Sequence, residues 1–218
     1  MFYVDGFANR VHLVTHCKPY QVLNITAVGE VETTDRSGVV GDLGETANPH
    51  VFLRATPRTE SSSEIDALVA EIGTRAPLEA LHHLLAAIAD RVVYDTDATH
   101  QGATAAEAFA AGSGVCQDHA HIFIAAARRL GIPARYVTGY LHLDGEETAA
   151  AHHAWAEACV PDLGWVGFDP ANHVCPTERY VRLACGFDAT SAAPITGARR
   201  GGGAESLKVD VMVRQQQQ

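Results

Sequence analysis

A change of hydrophobic period at Pro133 constrains this chain more than any other feature. Upstream of it, apolar residues recur every three to four positions, the spacing of one helix face. In SEIDALVAEIG these are Ile65, Leu68, Val69 and Ile72, behind a Ser61-Ser62-Ser63-Glu64 helix start and before a closing Gly73. In PLEALHHLLAAIADRVVY they are Leu78, Leu81, Leu84, Leu85 and Ile88, with Pro77 in the first turn. A short TAAEAFAA helix runs into Gly112-Ser113-Gly114. VCQDHAHIFIAAARRLGI then gives the strongest helical signal, closing at Gly131 with Arg128 and Arg129 where cations suit the dipole. Downstream of Pro133 the period is two. ARYVTGYLHL, HHAWAEACV, GWVGFD, RYVRLACG and SLKVDVMV read as successive strands. Helices first and strands after predict an α+β fold with an antiparallel sheet.

The N-terminal part reads differently. VHLVTH and QVLNITAVGEVETT carry β-branched residues in partial alternation, and residues 35–63 form a weakly patterned connector. The expected organisation is a partial N-terminal β-domain with its connector over 1–60, the main domain over 61–214, and a disordered tail at 215–218. No internal repeat is present.

Charge and cysteine content narrow the function classes. Sixteen Lys and Arg against 26 Asp and Glu give a net charge of −10. That field repels phosphate, so nucleic acid and anionic membrane surfaces are not expected partners. No run nears the roughly 18 apolar residues of a membrane span, and MFYVDGFANR lacks a signal-peptide profile. Five cysteines cannot all pair within one chain of 218 residues, which points to a reducing cytoplasm.

One cysteine differs from the rest. GSGVCQDHAHIF delivers Cys116 to the start of a long helix, where free N–H groups and the positive dipole end favour a thiolate and can hold an oxyanion. By position alone Cys116 reads equally as a nucleophile or as a small buried hydrophobe. In AHHAWAEACV, alternation puts His153, Trp155 and Glu157 on one face and His152, Ala154, Ala156 and Ala158 on the other. His153 can serve there as a general base, although a strand histidine is more often structural. His152 is expected to cap the strand end. Asp169 in GWVGFDPANH ends a strand before Pro170; such a residue is ordinary turn chemistry or, beside a histidine, its orienting partner.

Taken in order, GVCQDHAHIFIAAARRLGIPARYVTGYL, HHAWAE and GWVGFDPANH resemble the transglutaminase-like superfamily, in its bacterial cysteine-peptidase form. The resemblance implies a papain-like core with Cys116 as nucleophile, His153 as base and Asp169 as orienter. It extends to the C-terminal YVRLACGFDATSAAPITGARRGGGAESLKVDVMV, although Phe187 stands where many relatives carry a basic residue. The first 35 residues resemble the end of the β-rich N-terminal domain of such proteins, so this β-segment is expected to be truncated. Gln101, Gln117 and the Cys116 N–H are candidate oxyanion donors, and Asp118 and Trp155 are expected to support the site.

The implied chemistry is thiol-dependent acyl transfer on the amide bonds of a protein or peptide substrate, with hydrolysis preferred over protein cross-linking. A non-catalytic module that keeps the fold is the alternative of a different class. Cys116 and His119, three apart on a helix, could share a metal, but no matched second pair follows. Neither metal nor cofactor is therefore expected, and Cys17, Cys159, Cys175 and Cys185 are expected to be bystanders.

Overall fold

The computed structural model describes residues 1–16, 21–45, 47–98, 102–142, 151–198, 200–201 and 206–213. Gln101, Cys17 and the tail at 215–218 lie outside them. The helices are α1 (Ser63–Ile72), α2 (Pro77–Arg91), α3 (Ala105–Ala111) and α4 (Cys116–Arg129). The strands are β1 (Phe2–Val4), β2 (Arg10–His12), β3 (Val39–Gly41), β4 (Val93–Tyr94), β5 (Ser113–Gly114), β6 (Ala134–Leu141), β7 (Ala151–Val160), β8 (Gly164–Phe168) and β9 (Tyr180–Gly186). The central sheet has the order β3-β8-β7-β6-β9, with every neighbouring pair antiparallel. This is the mixed α+β architecture expected of a papain-like, transglutaminase-type core.

Helix ends follow the local rules. Ser62 caps α1 by accepting from Ile65 N–H, and Thr104 and Glu107 form a reciprocal capping box on α3. α4 is buried from Asp118 through Arg128, as a helix enclosed on all sides must be. Its alanines, Ala120 and Ala125 to Ala127, let neighbouring elements approach closely. α1 and α2 contribute Ile65, Leu68, Leu81, Leu84 and Ile88 to the same core, and the sheet contributes Ala154, Ala156 and Ala158. Phe123 of α4 stacks on Phe168 of β8 at 5.1 Å between ring centroids, fixing helix against sheet.

The opposite face of the sheet carries a second layer. Val137, Trp155 and Cys185 form its small core, covered by Phe7 and Tyr180. Arg135 and Glu157, both fully buried, pair at 2.7 Å, with Arg182 closing on Glu157 at 2.8 Å and Glu45 closing on Arg135. The Arg135 guanidinium lies 3.7 Å from the centroid of the Trp165 ring. Asn9 holds the N-terminal hairpin to this layer: its amide both donates to and accepts from the Cys185 backbone, each at 2.8 Å. Phe187 packs on Phe7 and Phe52, with Arg54 over its ring.

Three sequence expectations change. The connector is not merely irregular, because Val39–Gly41 adds an edge strand beside β8 and Phe52 is fully buried among aromatic rings. The stretch 21–34 forms no strand, and neither do residues 206–213. Their apolar residues, among them Val22, Ile25, Val28, Val31, Leu207 and Val209, are exposed. Alternation alone cannot make a strand without a neighbour to take its hydrogen bonds. The N-terminal β-structure is instead the short β1–β2 hairpin.

Candidate active site

Three side chains from separate elements meet at one end of the sheet. Cys116 is the first residue of α4 and packs half-buried against the helix-side core. The turn before it is held by a two-residue parallel ladder, Val93 with Ser113 and Tyr94 with Gly114. Asp118, expected to support this turn, is buried and accepts from Val115 N–H at 2.9 Å. It folds back so closely that a Cβ on Gly114 would stand 2.8 Å from its own Cβ, so residue 114 must be glycine. His119 is tied into the same turn. Its two ring nitrogens face backbone carbonyls, Val115 O at 2.9 Å and Val92 O at 3.1 Å. Among the described residues no three His, Cys, Asp or Glu side chains converge as metal ligands do.

His153 lies near the start of β7, on the face shared with Trp155 and Glu157. Its ring stacks on Trp155 at 6.3 Å with an interplanar angle of 26°. His152, on the other side, is exposed; it contacts Thr138 Oγ1 at 3.1 Å and is edge-on to Tyr140. Asp169 follows directly on β8 and is fully buried. His153 Nε2 lies 2.6 Å from Asp169 Oδ2, and Cys116 lies close enough to act electrostatically on the same ring. With Nε2 engaged by the carboxylate, Nδ1 is the nitrogen available to the sulfur.

The carboxylate is held from every side. Its Oδ2 also accepts from Tyr180 O–H at 2.7 Å and Asn172 Nδ2 at 2.7 Å. Its Oδ1 accepts from the Ala171 and Asn172 N–H groups at 3.1 and 3.3 Å. Burial opposes the charged form of Asp169, yet the bond and charge of His153 and the donors on Asn172 and Tyr180 outweigh it and hold its pKa below the ordinary value. Burial likewise opposes a charged His153, but the hydrogen bond of Asp169 and the charges of Asp169 and Cys116 raise it to about 9. At neutral pH this arrangement presents a positive imidazole to a sulfur, beside a fixed negative carboxylate. His152 moves the other way: partial desolvation and the neighbouring charge of His153 lower its pKa.

Sequence reading missed Tyr180 and Asn172. Asn172 had a local signal, since Asp169 and Asn172 form an Asx-type turn through Oδ1. Tyr180 had none; it arrives from β9 through the sheet order alone. Of the candidate oxyanion donors, Gln117 is half-buried in the first turn of α4 and makes no side-chain hydrogen bond among the described residues, and Gln101 lies outside them.

Fold and site together define a transglutaminase-like domain. Residues 66–170, which run from α1 to the residue after Asp169, match the sequence model of the transglutaminase-like superfamily. That stretch, just under half of the chain, is what is similar to the superfamily. Over 105 residues it is 42% identical to an uncharacterized protein of Mycobacterium leprae, covering 46% of this chain and 37% of that one. Over 73 residues it is 37% identical to a protein-glutamine gamma-glutamyltransferase of Pseudomonas aeruginosa, covering 29% of this chain and 11% of that one. It also resembles the crystal structure of a "Putative Cysteine Protease" from Cytophaga hutchinsonii, with a TM-score of 0.58 and 28% identity over 74% of this chain and 55% of that one. The chain thus spans well under two thirds of the length of each of these proteins. No helix among the described residues is long and apolar enough to cross a membrane.

Proposed function

We propose that the protein is a thiol-dependent acyl-transfer enzyme that hydrolyses an amide bond of a protein or peptide substrate. The reading is carried by the 2.6 Å contact of His153 Nε2 with a fully buried, five-times hydrogen-bonded Asp169, which leaves the opposite face of the imidazole to Cys116. In this reading the Cys116 thiolate attacks the carbonyl carbon, and the α4 N-terminus supports the oxyanion. His153 gives its proton to the leaving amine as the C–N bond breaks and a thioester forms. It then takes a proton from water as water attacks the thioester and releases the acid with the thiol. Asp169 fixes the ring orientation and stabilises the imidazolium throughout.

A second reading exchanges water for an amine, which would make the protein a cross-linking transglutaminase. The likeness to the Pseudomonas protein favours it, as the likeness to the Cytophaga protein favours hydrolysis. We assign the chain to a reducing cytoplasm, supported by four described cysteines that are all free thiols.

The test is alkylation by iodoacetamide with peptide mapping, comparing wild type, Cys116→Ala and His153→Ala. We expect fast labelling confined to Cys116 and slowed about a hundredfold or more in His153→Ala, the scale of a lost general base. Equal, slow labelling of every cysteine in wild type would overturn the enzyme reading. Incubating a peptide library with and without a primary amine then separates hydrolysis from transfer by product mass.

A further inference from the structure

The second layer of the sheet holds a pocket of about 250 Å³ that the acyl-transfer chemistry does not use. The outer strands β3 and β9 both reach it, with Val39 and Val40 on one side and Tyr180 and Arg182 on the other. Trp155 and Glu157 of the central strand β7, both buried, form its floor. The β3 wall comes from the weakly patterned connector, and three contacts hold it in place. Thr33 Oγ1 donates to Glu178 O at 2.6 Å, and Gly167 N–H donates to Gly38 O at 2.8 Å. A Cβ on Gly38 would stand 2.7 Å from Cys175 Cβ, so here the connector lies as close to the Cys175-Pro176 stretch as backbone allows.

The lining selects an apolar occupant. Val39, Val40, Pro176 and the rings of Trp155 and Tyr180 supply apolar surface. The polar groups among them are already engaged. Glu157 accepts from Arg135 at 2.7 Å and from Arg182 at 2.8 Å, so the charge at the floor is matched inside the protein. Tyr180 spends its hydroxyl on Asp169 at 2.7 Å. Arg36 also lines the pocket but is exposed, so its charge stays in water. A charged ligand group entering here would give up its hydration and meet no unmatched charge at the floor. An apolar side chain gains burial against aromatic surface, the usual construction of a ligand pocket.

Position ties the pocket to the reaction. Trp155 carries the stacked His153 ring at 6.3 Å between centroids, and Tyr180 holds Asp169. Two of the pocket's residues therefore touch the catalytic pair directly, and the pocket begins one ring beyond the base.

We propose that this pocket binds a large apolar side chain, aromatic or branched aliphatic, of the peptide substrate. The chain bearing it passes His153 to reach Cys116, which places that side chain roughly two to four extended residues from the scissile bond, at about 3.3–3.6 Å each. That the side chain belongs to a substrate rests on the acyl-transfer reading. The binding itself does not, so it is measured in a Cys116→Ala background.

The chain has two tryptophans, Trp155 and Trp165, so the ¹⁵N-labelled full chain gives two indole signals by NMR. Trp165, whose Nε1 donates to Glu45 at 3.1 Å, serves as internal reference. N-acetylphenylalaninamide and N-acetylalaninamide are titrated in turn. We expect a saturable shift confined to Trp155, with the phenylalanine probe binding at least about tenfold more tightly, the scale of burying one large apolar side chain. Thr177→Phe plugs the pocket from its loop and should weaken that probe by a similar factor. No saturable shift, equal affinity for the two probes, or equal movement of both indoles would overturn the proposal. The comparison of probes decides even if Thr177→Phe does not fold. With Cys116 intact, a peptide library should show large apolar residues enriched within roughly four positions of the cleaved bond. Thr177→Phe should lose that enrichment. Probe binding without enrichment would overturn the assignment to substrate. If no peptide is cleaved, the enzyme reading fails together with that assignment, and the probe titration still decides the binding site.

Discussion

The imidazole of His153 and the carboxylate of Asp169 meet at 2.6 Å inside the protein, and the oxygen that His153 contacts also accepts from Tyr180 and Asn172. Three donors on one buried oxygen fix the carboxylate in place, and the carboxylate fixes the ring. Stacking on Trp155 removes the remaining rotational freedom. This is pre-organisation by packing and hydrogen bonding, with consequences for stability as well as for chemistry.

The pair makes stability depend on pH. The folded-state pKa of His153 is raised from 6.5 to about 9. A raised pKa contributes stability fully below the unfolded value, and that contribution is lost as pH climbs through the folded one. At about 1.4 kcal/mol per unit, up to roughly 3 kcal/mol should disappear between pH 6.5 and 9. Urea midpoints measured across that window should fall in the wild type and stay nearly flat in Asp169→Asn. Parallel slopes in the two proteins would rule the coupling out.

Tyr180→Phe keeps the ring that packs edge-on against Trp155 at 5.4 Å but deletes the hydroxyl on Asp169. A buried carboxylate then loses one charge-assisted bond, a loss of about 1–3 kcal/mol. Denaturant unfolding should report it without a change in m-value. Iodoacetamide labelling at Cys116 should slow several-fold, because the orienting carboxylate is less firmly held. An unaltered midpoint would mean that the hydroxyl adds nothing.

Gly139 stands opposite His153 in the β6–β7 register and at the irregular step between β6 and β9. A Cβ there would collide with the Val181 carbonyl oxygen and come within 2.7 Å of the Trp155 ring. Overpacking of this kind costs about 1–3 kcal/mol. Gly139→Ala should therefore lower the melting temperature and displace the ring on which His153 stacks. Tryptophan fluorescence and Cys116 labelling should change together; a silent substitution would contradict the packing.

Glu157 links Arg135 and Arg182 beneath the second layer and is fully buried. Removing one member of a buried ion network leaves uncompensated charge, at a cost of about 3–5 kcal/mol. Glu157→Gln preserves volume and should still destabilise by about that amount in urea unfolding. A loss below about 1 kcal/mol would show that water reaches these guanidinium groups.

Much of the fold was legible because it rests on short-range rules. The four helices start and stop where Ser62, Pro77, Thr104 and Arg128-Arg129 say they should. The alternation in β7 placed Ala154, Ala156 and Ala158 toward α4 and His153 with Trp155 on the far face. What misled was alternation without a partner. Residues 21–34 have the composition of a strand, while the plainer Val39–Gly41 became one because β8 offered it an open edge.

The sequence by itself determined the helix-then-strand order, the delivery of Cys116 to a helix start and the face on which His153 stands. These follow from hydrophobic period and capping, which act over a few residues. Only the tertiary structure decided that Tyr180 and Asn172 close around Asp169 and that Asn9 grips the backbone of Cys185. Those contacts depend on strand order and on buried polar groups finding partners from distant parts of the chain. No local pattern encodes that matching, because it is settled only when the layers pack and water is excluded.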